Sequence, residues 1–220
     1  MANESMIPPL AHTEEFLIGA DMKVTDIDVD KHRQPEGAVE PLIYRRWSAR
    51  AMSGEPLTDD EIHSLFEAAR WAPSSYNGQP WRFFYARRDG EHWDLFFNWL
   101  VEFNQGWAKD AGLLIVMASN KNFEHNGQPS ATHGFDTGAA WQNLAIQGCA
   151  MGLVVHAMGG FDAEAAHRGL GLTDEMAVHA MVAVGRPASA DVLPEGLREQ
   201  EQPNQRKPVA EIAFEGLHRG

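Results

Sequence analysis

Three arginines and a serine fall within six residues at Arg45-Arg46-Trp47-Ser48-Ala49-Arg50. Guanidinium groups offer a phosphate several donors in one plane, and a serine hydroxyl can fill an oxygen that they leave. The chain carries a net charge of −13, yet residues 41–88 hold seven bases against five acids, whereas residues 1–40 hold nine acids against three bases. A basic stretch in so acidic a chain suits one small anionic ligand, although a solvated basic helix end has the same composition. A second stretch, Pro73-Ser74-Ser75-Tyr76-Asn77-Gly78-Gln79-Pro80-Trp81, places two small hydroxyls and an amide between two prolines. Short donors and acceptors on a restrained backbone can grip a flat polar heterocycle by its edge. A plain proline-bounded turn is the alternative.

Both stretches need rigid elements to position them. Thr58-Asp59-Asp60-Glu61 is a capping box, and Ile62, Leu65, Phe66 and Ala69 continue it at helical spacing, so a helix over 58–71 leads into the turn. Trp81 to Tyr85 is aromatic and strand-like and leads out of it. Elsewhere the periodicity predicts helices at 42–49, 91–106, 135–151 and 162–170. It predicts strands at 81–87, 112–118, 153–158 and 178–184, with a short extended segment at 209–214. Such alternation places α and β elements around one core, an α+β arrangement, behind an acidic, irregular N-terminal arm over 1–40. The helix over 135–151 has small residues at Gly138, Ala139, Ala145 and Gly148, so another helix can approach it, in a dimer or within one core.

Several function classes are disfavoured. Nucleic-acid affinity is dominated by phosphate contacts, which a charge of −13 opposes. The ten histidines are scattered without an H-x-x-x-H pair, and a single cysteine, Cys149, excludes C-x-x-C, so no metal site is expected. His125, His133, His156 and His179 read as hydrogen-bonded structural histidines. No apolar run approaches the roughly 18 residues of a membrane span, and the opening Met1-Ala2-Asn3-Glu4-Ser5 lacks a signal pattern, so a cytoplasmic protein is expected. No G-x-G-x-x-G follows a strand, which leaves a dinucleotide-binding fold without its phosphate loop.

Together the R-x-S-x-R segment and the P-S-S-x-N-x-Q-P-W segment resemble the nitroreductase family of flavin-dependent oxidoreductases over roughly residues 42–214. The resemblance implies a nitroreductase-like α+β fold over 41–220, with a mainly antiparallel or mixed sheet flanked by helices in an intertwined homodimer. Each FMN would sit between two protomers. Arg46, Ser48 and Arg50, with Arg206 and Lys207, match residues that hold the phosphate and ribityl chain, and Trp47 stands beside them. Pro73, Ser74, Ser75 and Asn77 match the turn that lines the isoalloxazine from the partner chain. Asn104 matches a ribityl or ring-edge contact, and Met158, Gly159 and Gly160 match the strand end that approaches the flavin. Trp47 departs from the smaller or polar residue common in the family, and Gly159 from an acid found in several members. NAD(P)H is then the expected co-substrate and a nitroaromatic, quinone or enone the small-molecule acceptor, with no protein group in covalent or acid–base catalysis. A flavin-dependent dehydrogenase or dehalogenase, and a non-catalytic flavin protein, are the alternatives.

Overall fold

The computed structural model describes Thr25 and residues 27–217. Seven α-helices and four strands are named among them: α1 (Pro41–Arg45), α2 (Asp59–Arg70), β1 (Trp81–Arg87), α3 (Trp93–Asn98), α4 (Glu102–Ala108), β2 (Leu113–Asn120), α5 (His133–Ala150), β3 (Val154–Met158), α6 (Ala163–Gly169), β4 (Met176–Gly185) and α7 (Glu195–Arg198). The strands form one sheet in the order β1-β2-β4-β3, antiparallel throughout. β2 is apolar along most of its length because both of its faces are covered. Leu114 and Val116 enter one core, and Leu113, Ile115 and Met117 enter the other. The first core receives Phe96, Trp99, Trp107, Ala166 and Leu197. The second receives Leu65 and Ala69 from α2 and Ala140, Leu144 and Ala145 from α5. Gly148 lets α5 lie close to the sheet, since a Cβ there would stand 2.3 Å from Val155 Cγ2.

α2 begins on the expected capping box: Thr58 Oγ1 accepts from the Glu61 amide at 3.2 Å, and Glu61 Oε2 accepts from the Thr58 amide at 2.8 Å. β1 spans 81–87 as expected. Three expectations fail. The helix over 91–106 is broken into α3 and α4, because the chain between them pairs with the exit of β3. The Asp162 amide donates to Trp99 O at 2.8 Å, and the Val101 amide to Gly160 O at 3.2 Å. The extended segment at 209–214 is instead opened by a 3-10 turn, Val209–Glu211, behind Pro208. The helix over 42–49 also stops early, at Arg45, beyond which Arg46 is extended.

Residues 1–24 and 26 of the expected arm lie outside the described residues. Its described remainder is tied to the body: Ile27 and Val29 pack on the first core, and Arg33 is buried. No helix among the described residues is long and apolar enough to cross a membrane.

Candidate functional site

After α1 the chain runs extended, so side chains alternate. Trp47, Ala49 and Ala51 are buried, while Arg46, Ser48 and Arg50 remain partly accessible. Trp47, Ser48 and Arg50 line a cavity of about 530 Å³ with Arg33, His156, and the segment from Gln200 to Arg206. Two buried charges hold that segment in place. Glu201 Oε1 accepts from the Arg50 and Ala51 amides at 2.6 and 2.9 Å, and its Oε2 lies 3.7 Å from Arg50 Nη1. Arg33 donates from Nε to Asn204 O at 2.9 Å, and from Nη1 to Tyr44 O and Arg46 O at 2.7 and 2.8 Å.

Arg50 is paired with Glu201, while three other cations stand in or beside this cavity, Arg46 not being among its lining residues. Arg33, Arg46 and Arg206 have no carboxylate within ion-pair distance among the described residues. Burial, reinforced by the Arg206 and Arg46 charges, lowers Arg33 to about 10. Burial also lowers Arg46, and the Arg206 charge adds to it. Arg33 and Arg46, lowered by burial and by the Arg206 charge, with backbone carbonyls and a serine hydroxyl as their partners, are short of negative charge. A phosphate dianion supplies it.

His156, from β3, donates from Nδ1 to Ala49 O at 2.9 Å, and its ring packs on Trp107 with centroids 4.6 Å apart. Burial first, and then the Arg50 and Arg46 charges, push it down to about 4 against the pull of the Ala49 carbonyl. In the unfolded chain it returns to the ordinary 6.5. Its contribution to stability is therefore complete above pH 6.5 and is lost as pH falls through about 4. Chemical-denaturation midpoints across that window should fall with acid in the wild type and fall less in His156→Gln. Parallel curves would show that the ring stays uncharged for another reason.

The second stretch forms a strained turn. Tyr76, Asn77 and Gln79 have φ of +51°, +55° and +46° without being glycine, at roughly 1–3 kcal/mol each. Asp136, buried in the first turn of α5, holds it: Oδ2 accepts from the Ser75 amide and from Thr132 Oγ1, both at 3.1 Å. Ser74 Oγ accepts from the Gln79 amide at 3.0 Å, and Tyr76 sets its edge on Phe123 at 5.8 Å. Pro73, Tyr76 and Asn77 are exposed. Tyr76 and Asn77 border a cavity of about 550 Å³ with Gly78, Gln79, Arg82, Glu124 and His125. None of these residues borders the arginine cavity, so a single chain keeps the two stretches apart.

The other expected residues are distributed as follows. Arg206 belongs to the arginine cavity and also borders a more apolar one nearby, where Lys207 lies. Met158 is buried at the end of β3. Nothing stands within 4 Å of a Cβ built on Gly159, whereas one on Gly160 would meet Asn104 Nδ2 at 2.7 Å. Asn104 spends its amide inside the protein, donating to Gly160 O at 2.9 Å and accepting from Trp107 Nε1 at 3.3 Å. Gly160 thus accommodates Asn104, and Asn104 aligns the exit of β3. Sequence reasoning missed Arg33, His156 and Glu201 as parts of the arginine cavity. Arg33 had a signal, as the only arginine in the acidic first forty residues.

A nitroreductase family model matches residues 43–103 and 94–186. A solved oxidoreductase containing FMN is 43% identical, covers 86% of this chain and 96% of its own, and superposes with a TM-score of 0.82. A provisionally named nitroreductase from Desulfovibrio desulfuricans, solved with FMN, shares the fold at 24% identity and a TM-score of 0.64, over 82% of this chain and 99% of its own. A protein of Rhodopseudomonas palustris, provisionally named NADH dehydrogenase/NAD(P)H nitroreductase, is 27% identical over 58% of this chain and 74% of its own.

Proposed function

Since the chain belongs to the nitroreductase family, we propose that it is an oxidoreductase that holds FMN by its phosphate in the arginine cavity. It would take hydride from NAD(P)H and reduce a small electrophilic acceptor such as a nitroaromatic, a quinone or an enone. What supports this most is the group of Arg33, Arg46 and Arg206, in which burial and the Arg206 charge lower the first two and none has a carboxylate within ion-pair distance among the described residues. FMN when bound supplies the two-electron chemistry. Arg46 and Arg206 would hold its phosphate, Ser48 would complete the oxygen contacts, and Arg33 would keep the Gln200–Arg206 segment closed around it. Pro73, Ser74, Ser75 and Asn77 would line the ring.

Because the turn and the arginines border separate cavities in one chain, a complete site needs the turn from a second copy. Exposed aromatics fit such a pairing: Trp71, Tyr76 and Phe135 are 71%, 86% and 81% accessible. Trp141 on α5 adds a buried indole N–H with no partner. A flavin covered on one face would leave a single slot for donor and acceptor to occupy in turn. The purified protein should then be yellow, should bleach on anaerobic addition of NADH or NADPH, and should regain its colour with menadione. Double-reciprocal plots against the nicotinamide should be parallel at several menadione concentrations. Intersecting lines, or a flavin that neither nucleotide bleaches, would overturn the shared-slot oxidoreductase.

A further inference from the structure

The arginine cavity is lined by cations that only donate, beside the neutral amide side chains of Gln200, Gln202 and Asn204. Arg33, Arg50 and Arg206 all border the cavity, and the Ser48 hydroxyl already receives Arg46 Nη1 at 3.4 Å. These groups suit a phosphate. They do nothing for a ligand hydroxyl, which must place its own proton somewhere.

His156 meets that need. A carbonyl oxygen can only accept, so the 2.9 Å contact with Ala49 O fixes the proton on Nδ1. In the neutral ring Nε2 is then a bare lone pair. The Ser48 backbone also pulls on the ring; Nε2 is not among the buried unpartnered atoms, and the ring borders the cavity. The Ala49 bond below and the Trp107 ring beside it prevent the imidazole from turning away. A buried amide clasp, Glu201 on the Arg50 and Ala51 amides, holds Ala49 itself in register.

We propose that His156 is a cofactor-reading residue: its Nε2 accepts a hydrogen bond from a ribityl hydroxyl of the FMN whose phosphate the arginines hold. The inference rests on the FMN reading and extends it to the sugar chain. The donors of FMN are its ribityl hydroxyls and the ring N3–H, and the hydroxyls are the ones that lie between phosphate and ring. The site thereby distinguishes a phosphorylated polyol from a bare anion.

Two amide substitutions separate this role from a structural one. Glutamine places an oxygen near the position of Nε2, while asparagine keeps a donor near Nδ1 for the Ala49 carbonyl and offers the cavity nothing. The measurement is the dissociation constant of FMN from flavin-free protein, read by quenching of flavin fluorescence, together with competition by sulfate, which carries no proton. We expect His156→Asn and His156→Phe to weaken FMN about tenfold, and His156→Gln to stay within about threefold of wild type. Sulfate competition should be unchanged in all of them. The converse, with asparagine rescuing and glutamine failing, would reduce His156 to a support for Ala49, and equal affinities throughout would also overturn the proposal. If N3-methyl-FMN abolished the difference between wild type and His156→Phe, the donor would be the ring imide and the hydroxyl assignment would be wrong. A wild-type protein that takes up no FMN would defeat the cofactor reading itself, and this inference with it.

Discussion

Replacing Arg46 and Arg206 together by alanine is expected to weaken FMN binding by a hundredfold or more without destabilising the flavin-free protein. Each charge-assisted contact to phosphate contributes about 1.5–3 kcal/mol, and two such losses amount to at least about two decades in the dissociation constant. The second half of the expectation follows from the cluster's own repulsion. The Arg206 charge lowers both Arg33 and Arg46, and the hydrogen bonds from the Arg46 and Arg206 guanidiniums go to Ser48 Oγ and to the carbonyls of Asn204 and Gln205, at 3.2–3.4 Å. Removing two like charges without strong partners relieves the apo protein. Isothermal titration with FMN and thermal melting without it test the two halves independently. A variant that melted much earlier would be a folding lesion, and one that kept wild-type affinity would place the phosphate elsewhere.

Asp136→Ala should cost about 3 kcal/mol or more, because a hydrogen bond to a charged acceptor contributes about 1.5–3 kcal/mol and Oδ2 accepts two, from the Ser75 amide and Thr132 Oγ1. For a chain of this size that is roughly a 10 °C fall in melting temperature. The loss has a local signature as well. Tyr76, Asn77 and Gln79 hold positive φ only while their surroundings enforce it. Freed of Asp136, the turn should relax, and amide exchange from Ser75 to Gln79 should quicken more than exchange in β2. Unchanged exchange there would mean that Ser74, through its bond to the Gln79 amide, holds the turn alone.

What was legible in the sequence is what local chemistry decides. The capping box fixed the start of α2, the aromatic run from Trp81 marked β1, and the strand expected at 112–118 falls on β2. The R-x-S-x-R stretch stood out because arginines are conspicuous in an acidic chain, and Ser48 and Arg50 from it do line one cavity. Long-range decisions were hidden. Nothing between 91 and 106 announces that Trp99 O and the Val101 amide will pair with the chain leaving β3, so one helix was expected where there are two. Tyr76, Asn77 and Gln79 carry no glycine signal for their left-handed backbone. His156 read as a structural histidine, and its Nδ1 bond to Ala49 fits that; its place on the cavity wall depends on how 46–51 and 200–206 meet it. Gly160 was expected to let the strand end approach a flavin; no signal in the sequence showed that a side chain there would also strike Asn104.

The Glu201 clasp joins residues 150 positions apart, and the wall it secures is made of the chain from Gln200 to Arg206. A chain emerging from the ribosome therefore presents Arg46, Ser48 and Arg50 long before anything exists to enclose them. The sheet can form without that segment, since β1 to β4 end at Gly185. On the proposed reading, flavin capture would be among the last events of biogenesis, occurring on a chain whose sheet strands have all been synthesised. A message cut short just after residue 199 would yield a protein that keeps every strand and the Leu193 and Leu197 core contacts and, on the proposed reading, is colourless.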